Sequence, residues 1–183
     1  MQPKTLSPAF SMEIQGLWNG APVTEADRIE LIVEPGPVNW RLKVDAPFYG
    51  DPPPRAPAGP TWALWEHEVV EWFIAGPGEE YLEIELGPHG HHLALQLSGV
   101  RQIRERELPL SFAAELRGNR WRGEASFPVA WLPEGPWRVN AYGIHGVGSE
   151  RTYLAAYPTG GEAPDFHQLG SFQALSPDPS GVT

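Results

Sequence analysis

Four histidines occupy positions from which the loops of a β-protein could bring them together. His89 and His92 lie in one predicted hairpin loop, glycines frame His145 at a strand end, and His167 precedes the last predicted strand. Imidazole is a common ligand of zinc and other divalent transition metals, so with a carboxylate these histidines could form a metal site. Their spacing matches no known zinc motif, however. The alternative is that each one hydrogen-bonds turn backbone or faces solvent.

Three glutamates form a second group with chemical potential. Glu71, Glu83 and Glu85 fall on one face of the sheet predicted below. Clustered carboxyl groups raise one another's pKa and can act as an acid and base pair, and they can also bind calcium or sugar hydroxyls. The alternative is a solvated outer face, or pairing with basic residues of neighbouring strands.

Aromatic residues are the third group, because the sequence contains eight tryptophans. Indole rings stack on flat apolar surfaces, including the C–H faces of sugars. Trp62 and Trp65 adjoin a proline-rich connection and are the better ligand candidates, while Asn140 and Tyr142 could add hydrogen bonds. The tryptophans at predicted strand positions are expected in the core instead: Trp40, Trp72, Trp121 and Trp137.

The segment 64–97 carries most of these residues and predicts three consecutive antiparallel strands. Residues 81–86 alternate between apolar and polar side chains, which indicates a half-buried strand. Pairing Leu86 with Leu93 would place the leucines of the following strand on the same side as those of 81–86. Glu83 and Glu85 would then share the opposite face.

The strand before them has two possible registers because both of its faces carry apolar residues. If Val70, Trp72 and Ile74 join the core, Glu71 lies beside Glu83 and Glu85. We prefer this register because the other one buries an unpaired carboxylate among aliphatic side chains.

The whole chain indicates an all-β fold. Nine to eleven short strands are separated by glycine and proline turns, residues 47–60 are too rich in proline for a central strand, and there is no long amphipathic helix. This pattern is typical of an antiparallel β-sandwich of jelly-roll type. We predict a tail over 1–11, one domain over 12–175 and a second tail over 176–183.

Composition narrows the classes of partner. The net charge of −10 opposes binding to nucleic acid or an anionic membrane, and the absence of cysteine excludes thiol catalysis. Residues 1–20 show no basic start followed by an apolar core, so we expect a cytoplasmic protein. No phosphate-binding loop and no GxSxG elbow is present.

Several sequence blocks carry a family resemblance. The order of LWEHEVVEWFI, YLEIEL, RWRGEASFPVAWL, RVNAYGIHG and DFHQLGSFQAL resembles the family-9-like carbohydrate-binding fold. The blocks DPPP, PHGHHLALQLSG, ELPLSF, YPTG and DFH resemble more closely an uncharacterised family of bacteria and vertebrates, known in humans as a chromosome-four open reading frame. The resemblance covers roughly residues 13–175. It implies a β-sandwich that binds sugar through tryptophans and polar side chains, in which calcium can have a structural role.

These observations lead to three functional hypotheses. The first is a noncatalytic protein that binds carbohydrate or a similar polyhydroxylated small molecule through the tryptophan, glutamate, Asn140 and Tyr142 candidates. The second is a metal-dependent enzyme acting on a sugar or small metabolite, with the four histidines as ligands and Glu71 as general base. Its cofactor would be a divalent metal such as calcium or zinc. The third is a scaffold for protein interactions, which would show an exposed apolar patch.

Overall fold

The computed structural model describes residues 8–175, which form two antiparallel β-sheets packed face to face. The predicted tail residues 1–7 and 176–183 lie outside the described range. The thirteen strands are β1 (Phe10–Ile14), β2 (Gly16–Leu17), β3 (Ile29–Glu34), β4 (Asn39–Pro47), β5 (Val69–Ala75), β6 (Tyr81–Leu86), β7 (His92–Leu97), β8 (Ile103–Glu105), β9 (Ser111–Arg117), β10 (Arg120–Pro128), β11 (Arg138–His145), β12 (Thr152–Ala155) and β13 (Gln173–Ala174).

Helical structure in the described range is limited to single turns. Five 3-10 segments occur, at Glu25–Asp27, Leu64–Glu66, Val129–Trp131, Gly148–Glu150 and Leu169–Ser171. No helix between residues 8 and 175 is long and apolar enough to cross a membrane. The prediction of an all-β, jelly-roll-like antiparallel sandwich is confirmed.

The first sheet has five strands in the order β1-β3-β4-β10-β9. Its strands alternate as a half-buried sheet should: in β3, Ile29, Leu31 and Val33 are buried while the intervening side chains face outward. β1 begins at Phe10, near the predicted start of the domain at residue 12.

The second sheet runs β2-β12-β11-β5-β6-β7-β8, and β13 pairs with β11 beyond the end of β12. The main core fills the space between the two sheets. It contains three of the four predicted core tryptophans, Trp40, Trp72 and Trp121, and Trp137 packs against it from the edge.

The predicted register of β5 is confirmed. Val70, Trp72 and Ile74 face the first sheet, and Glu71 lies directly opposite Glu85 of β6. Glu83 lies on the same face as Glu85, because it is two residues away from it in β6. All three glutamates therefore lie on the outer face of the second sheet.

The predicted register of β6 and β7 is wrong by one residue. Leu86 pairs with His92, not with Leu93. The connecting turn closes with a 2.9 Å hydrogen bond from the Gly87 amide to the His91 carbonyl, and Gly90 supplies the left-handed backbone (φ +86°) that the turn requires. Turn length sets hairpin register.

This shift moves Leu93, Leu95 and Leu97 to the outer face, beside the glutamates. They are buried there because loops cover that face and form a second apolar cluster. The covering segments include the turn that precedes β5 and the segment between β12 and β13. The sandwich thus carries a partial third layer made of loops.

Candidate functional site

A cavity of about 440 Å³ opens between the outer face of the second sheet and the loops that cover it. Strands β5, β6, β7 and β11 provide its floor. Its walls come from the loops around residues 62–65, 101–103 and 164–167 and from β12. The lining side chains are Trp62, Trp65, Glu71, Glu83, Leu95, Leu97, Arg101, Ile103, Ile144, Tyr153, Pro164, Asp165, Phe166 and His167.

Trp62 and Trp65, the two tryptophans predicted as ligand contacts, both line the cavity. Their rings meet edge to face at 5.1 Å, and Trp62 is 44% exposed. Between them Ala63 adopts the left-handed conformation (φ +59°), which reverses the backbone. The guanidinium of Arg106 lies 5.3 Å from the Trp62 ring centre and supports it by a cation–π contact.

The carboxyl groups of Glu71 and Glu83 lie at the bottom of the cavity, and Glu85 is completely buried beside them. Their residues are 2%, 4% and 0% exposed. Glu71 and Glu85 lie directly opposite each other on paired strands, where two like charges destabilise a sheet. The predicted meeting of the three carboxyl groups on one face is therefore observed, but in a buried setting and not on a solvated one.

This setting opposes ionisation of all three groups. Burial away from water raises the pKa of Glu83 to about 7, although the field of Arg101 acts in the opposite direction. Burial, and then the field of Glu83, raise the pKa of Glu71 well above its ordinary value. Burial and the fields of both neighbours do the same to the pKa of Glu85. The raised pKa values favour the protonated form of these carboxyl groups, which can both donate and accept hydrogen bonds.

One wall contains a network around Tyr81. The backbone amide of Arg101 donates to the Tyr81 hydroxyl at 3.1 Å, and that hydroxyl lies 2.6 Å from Nδ1 of His167. The Arg101 guanidinium pairs with Asp165 at 2.7 Å, and Asp165 also accepts from the His167 amide at 3.1 Å. Burial lowers the pKa of His167 to about 4, so its imidazole is neutral in this wall.

Arg151 fixes the tryptophan loop from the other side. Its guanidinium donates to the carbonyl oxygens of Trp65, Glu66 and Gly146. The same positive charge acts on Glu71, where it partly offsets the effect of burial on the pKa.

Asn140 and Tyr142, predicted as ligand contacts, are buried in the fold and do not line the cavity. The Asn140 amide donates to the Tyr157 carbonyl at 2.9 Å and accepts from the Tyr157 amide at 3.0 Å. The Tyr142 ring stacks on Phe166 at 4.0 Å and so packs against the loop that forms one cavity wall. Both residues act by holding covering segments in place.

The structure does not bring the four candidate histidines together. His167 alone reaches the cavity. His89 packs against Phe48, His92 against Phe112, and His145 stacks on Tyr49 at 3.5 Å. Among residues 8–175 no group of three or more histidine, aspartate and glutamate side chains could hold a metal ion.

Sequence reasoning missed several residues of the site. Arg101 was not among the predicted site residues, and Asp165 pairs with it across 64 positions of the chain. Leu95 and Leu97 were assigned to the opposite face of the sheet. The block DFH was noted as a motif, yet only the folded chain shows that it lines the same cavity as Trp62 and Glu83.

Comparison with solved structures identifies similar folds. A candidate carbohydrate-binding protein from Bacteroides uniformis matches with a TM-score of 0.72 at 17% identity, covering 92% of this chain and 86% of that one. A family 9 carbohydrate-binding module from Caldicellulosiruptor kristjanssonii, in complex with cellotriose, matches with a TM-score of 0.57 at 9% identity, covering 88% and 81%. The same kind of module in complex with glucose gives 0.55 at 11% identity, covering 87% and 82%. At these identities the likeness shows the fold alone.

Sequence comparison gives closer relatives. No family model matches the chain. The UPF0462 protein C4orf33 homolog of Danio rerio is 40% identical over 171 residues, which cover 87% of this chain and 85% of that protein. UPF0462 protein C4orf33 of Homo sapiens is 38% identical over 178 residues, covering 91% and 88%. The chain therefore belongs to the UPF0462 family that includes human C4orf33.

Proposed function

We propose that this protein binds carbohydrate in the cavity on the outer face of its second sheet. The observation that carries the proposal is the placement of an indole pair, the exposed Trp62 and the half-buried Trp65, over a floor of buried carboxyl groups. The volume of about 440 Å³ falls within the range of small-molecule sites, roughly 300–1,000 Å³. The family 9 modules of similar fold were solved with cellotriose and glucose bound, which supports the proposal.

The two kinds of side chain match the two surfaces of a sugar ring. The C–H face of the ring can pack on Trp62 or Trp65, where the apolar contact is shielded from water. Hydroxyl groups can both donate to and accept from the carboxyl groups of Glu71 and Glu83, and Asp165 and His167 offer further polar atoms in the wall. Such a mixture of flat apolar walls and a few convergent polar groups is typical of binding sites for small polar ligands.

The enzyme hypothesis has less support from the geometry. Its metal site needed several histidines, and only His167 lines the cavity. The scaffold hypothesis needed a continuous exposed apolar patch. Among the large apolar side chains that are exposed in the described range, Trp62 and Ile103 both line the cavity, and others such as Leu116 and Val147 lie in separate strands and loops.

A sugar titration tests the proposal. Intrinsic tryptophan emission and calorimetry would be followed while a panel of mono- and oligosaccharides is added. We expect a saturable signal with at least one sugar, and we expect Trp62→Ala to weaken it by roughly tenfold or more, because one stacking surface is lost. Trp131→Ala is the control, since Trp131 packs on Phe127 in the main core, away from the cavity.

Two results would contradict the proposal. One is the absence of any signal across the panel from protein that is folded by circular dichroism. The other is a saturable signal that Trp62→Ala leaves unchanged, which would place the sugar elsewhere on the protein.

A further inference from the structure

The buried carboxyl groups have oxygen atoms without hydrogen-bond donors. Within residues 8–175, no N–H or hydroxyl group donates to Oε2 of Glu83. Its carboxyl group shares a hydrogen bond with that of Glu85, which also accepts from the Trp65 backbone, and one shared acid proton cannot satisfy all the oxygens of both carboxyl groups. Glu83 is only 4% exposed, and it lines the cavity. Buried acceptors in proteins are nearly always satisfied, so an unpartnered one beside a cavity indicates the place where a ligand would donate.

The positive charges near these groups are already engaged. Arg101 pairs with Asp165 at 2.7 Å. Arg151 donates to three backbone carbonyl oxygens, and among the three glutamates its charge acts on Glu71. If Glu71, Glu83 and Glu85 all ionised, three negative charges would face one guanidinium that lacks a carboxylate partner.

We propose that the ligand carries a positive charge, and that its ammonium group binds against Glu71 and Glu83 while its apolar face packs on Trp62 and Trp65. This inference rests on the proposed carbohydrate function, and the substrate class it names is an amino sugar. An organic cation fits better than a bare metal ion for two reasons. The described residues include no group arranged to hold a metal, and indole rings attract ammonium groups through their π faces.

Charge outside the cavity favours the same class. The chain has a net charge of −10, which raises the local concentration of cations and repels anionic sugars such as sugar phosphates and uronic acids. The same negative field does not raise the local concentration of a neutral sugar.

Binding of an ammonium group should release protons. The ligand arrives positively charged, a carboxyl group of the floor ionises against it, and the carboxyl proton passes to solvent. The titratable groups that act on Glu83 are Arg101, Glu71, Glu85 and Tyr81, and the groups that surround this set are Arg151, Tyr142, Asp165 and His167. The pKa of each tyrosine is raised and that of His167 is lowered, so these three stay neutral near pH 7 and the exchange involves the glutamates.

Calorimetry with four probes tests the inference. Glucosamine, N-acetylglucosamine, glucose and cyclohexylamine would each be titrated into the full-length protein near pH 7, in two buffers that differ in ionisation enthalpy. We expect glucosamine to bind roughly 10- to 100-fold more tightly than glucose, because a hydrogen bond between charged groups is stronger than a neutral one. N-acetylglucosamine should lose this advantage, and only the amines should release protons.

Two variants locate the effect. Glu83→Gln should remove most of the preference for glucosamine over glucose. Glu79→Gln, in the exposed turn between β5 and β6, should preserve it. Because the preference is a ratio of two affinities on one variant, a general loss of folding cannot imitate the expected result.

The outcomes separate the two proposals. Equal or tighter binding of glucose, or a preference that survives Glu83→Gln, overturns the cationic inference and leaves carbohydrate binding intact. Binding of cyclohexylamine and glucosamine without any neutral sugar supports a cation site and counts against a general carbohydrate function. If none of the four probes binds, the cationic inference is overturned. If no sugar of the wider panel binds, the carbohydrate proposal is overturned.

Discussion

Replacing Glu83 by glutamine should stabilise the folded protein at alkaline pH. Burial raises the pKa of Glu83 from 4.5 to about 7. Between these values the folded state keeps a proton that the unfolded state has released, so the free energy of unfolding falls as pH rises and stops falling above the folded pKa. The difference, 7 − 4.5, multiplied by about 1.4 kcal/mol per pKa unit, corresponds to about 3 kcal/mol. Glutamine has the shape of the protonated acid and does not ionise.

Urea unfolding at several pH values measures this difference. Well below pH 4.5, the pKa of the unfolded side chain, Glu83→Gln and the natural protein should have similar free energies of unfolding, because the natural side chain is protonated in both states. At about pH 8 the variant should be more stable by about 3 kcal/mol, which for a domain of this size raises Tm by about 6–12 °C. For Glu79→Gln, the exposed control, the difference in free energy of unfolding from the natural protein should not increase with pH.

One result would refute the electrostatic reasoning directly. If the stability difference between Glu83→Gln and the natural protein stays constant from acid to alkaline pH, ionised Glu83 must be compensated in the fold. The three carboxyl groups would then form a stable ionic network and would leave no charge for a ligand to neutralise.

Three further predictions concern the parts that hold the site. Trp62→Ala should change the free energy of unfolding by less than about 1 kcal/mol, because the ring is 44% exposed, and thermal unfolding measures it; a larger loss would assign the ring to the core. Glu68→Ala should destabilise the protein by about 2–4 kcal/mol in urea, because this carboxyl group accepts from the amides of Tyr49, Gly50 and Asp51 at 3.0–3.1 Å; a loss below about 1 kcal/mol would contradict this role. Since burial lowers the pKa of His167 to about 4, nitrogen NMR should find a neutral imidazole at pH 6, and an imidazolium signal there would contradict its buried environment.

The sequence was sufficient for the sandwich and for the face on which the glutamates lie. The register of β5 followed from one physical cost, that of burying Glu71 among Val70, Trp72 and Ile74. The choice was right, although Glu71 is buried on the other face too, with Glu85 opposite it. The raised pKa of Glu71, which favours its neutral form, and its place beside a cavity make that burial tolerable, and neither is visible in the alternation of β5.

The register of β7 could not be predicted from alternation. A leucine at every second position indicates an apolar environment on one face but does not say which face, and here the outer face is also buried, beneath loops. Leu93 and Leu95 therefore fit either side of the sheet, and the turn between Gly87 and His91 decides. Contacts such as that of Arg101 with Asp165 join distant loops, and no local pattern specifies them.

The destabilisation predicted for ionised Glu83 and the preference predicted for an amine have one physical origin. In the empty protein, about 3 kcal/mol opposes ionisation of this carboxyl group near and above pH 7. An ammonium group that binds against it can recover part of that free energy, and a complete recovery would correspond to a gain in affinity of roughly 100-fold. Glu83→Gln should therefore remove the pH-dependent instability and the amine preference together. If it removes the instability while the preference for glucosamine persists, the ammonium group binds to other residues, and the buried glutamates only shape the floor of the cavity.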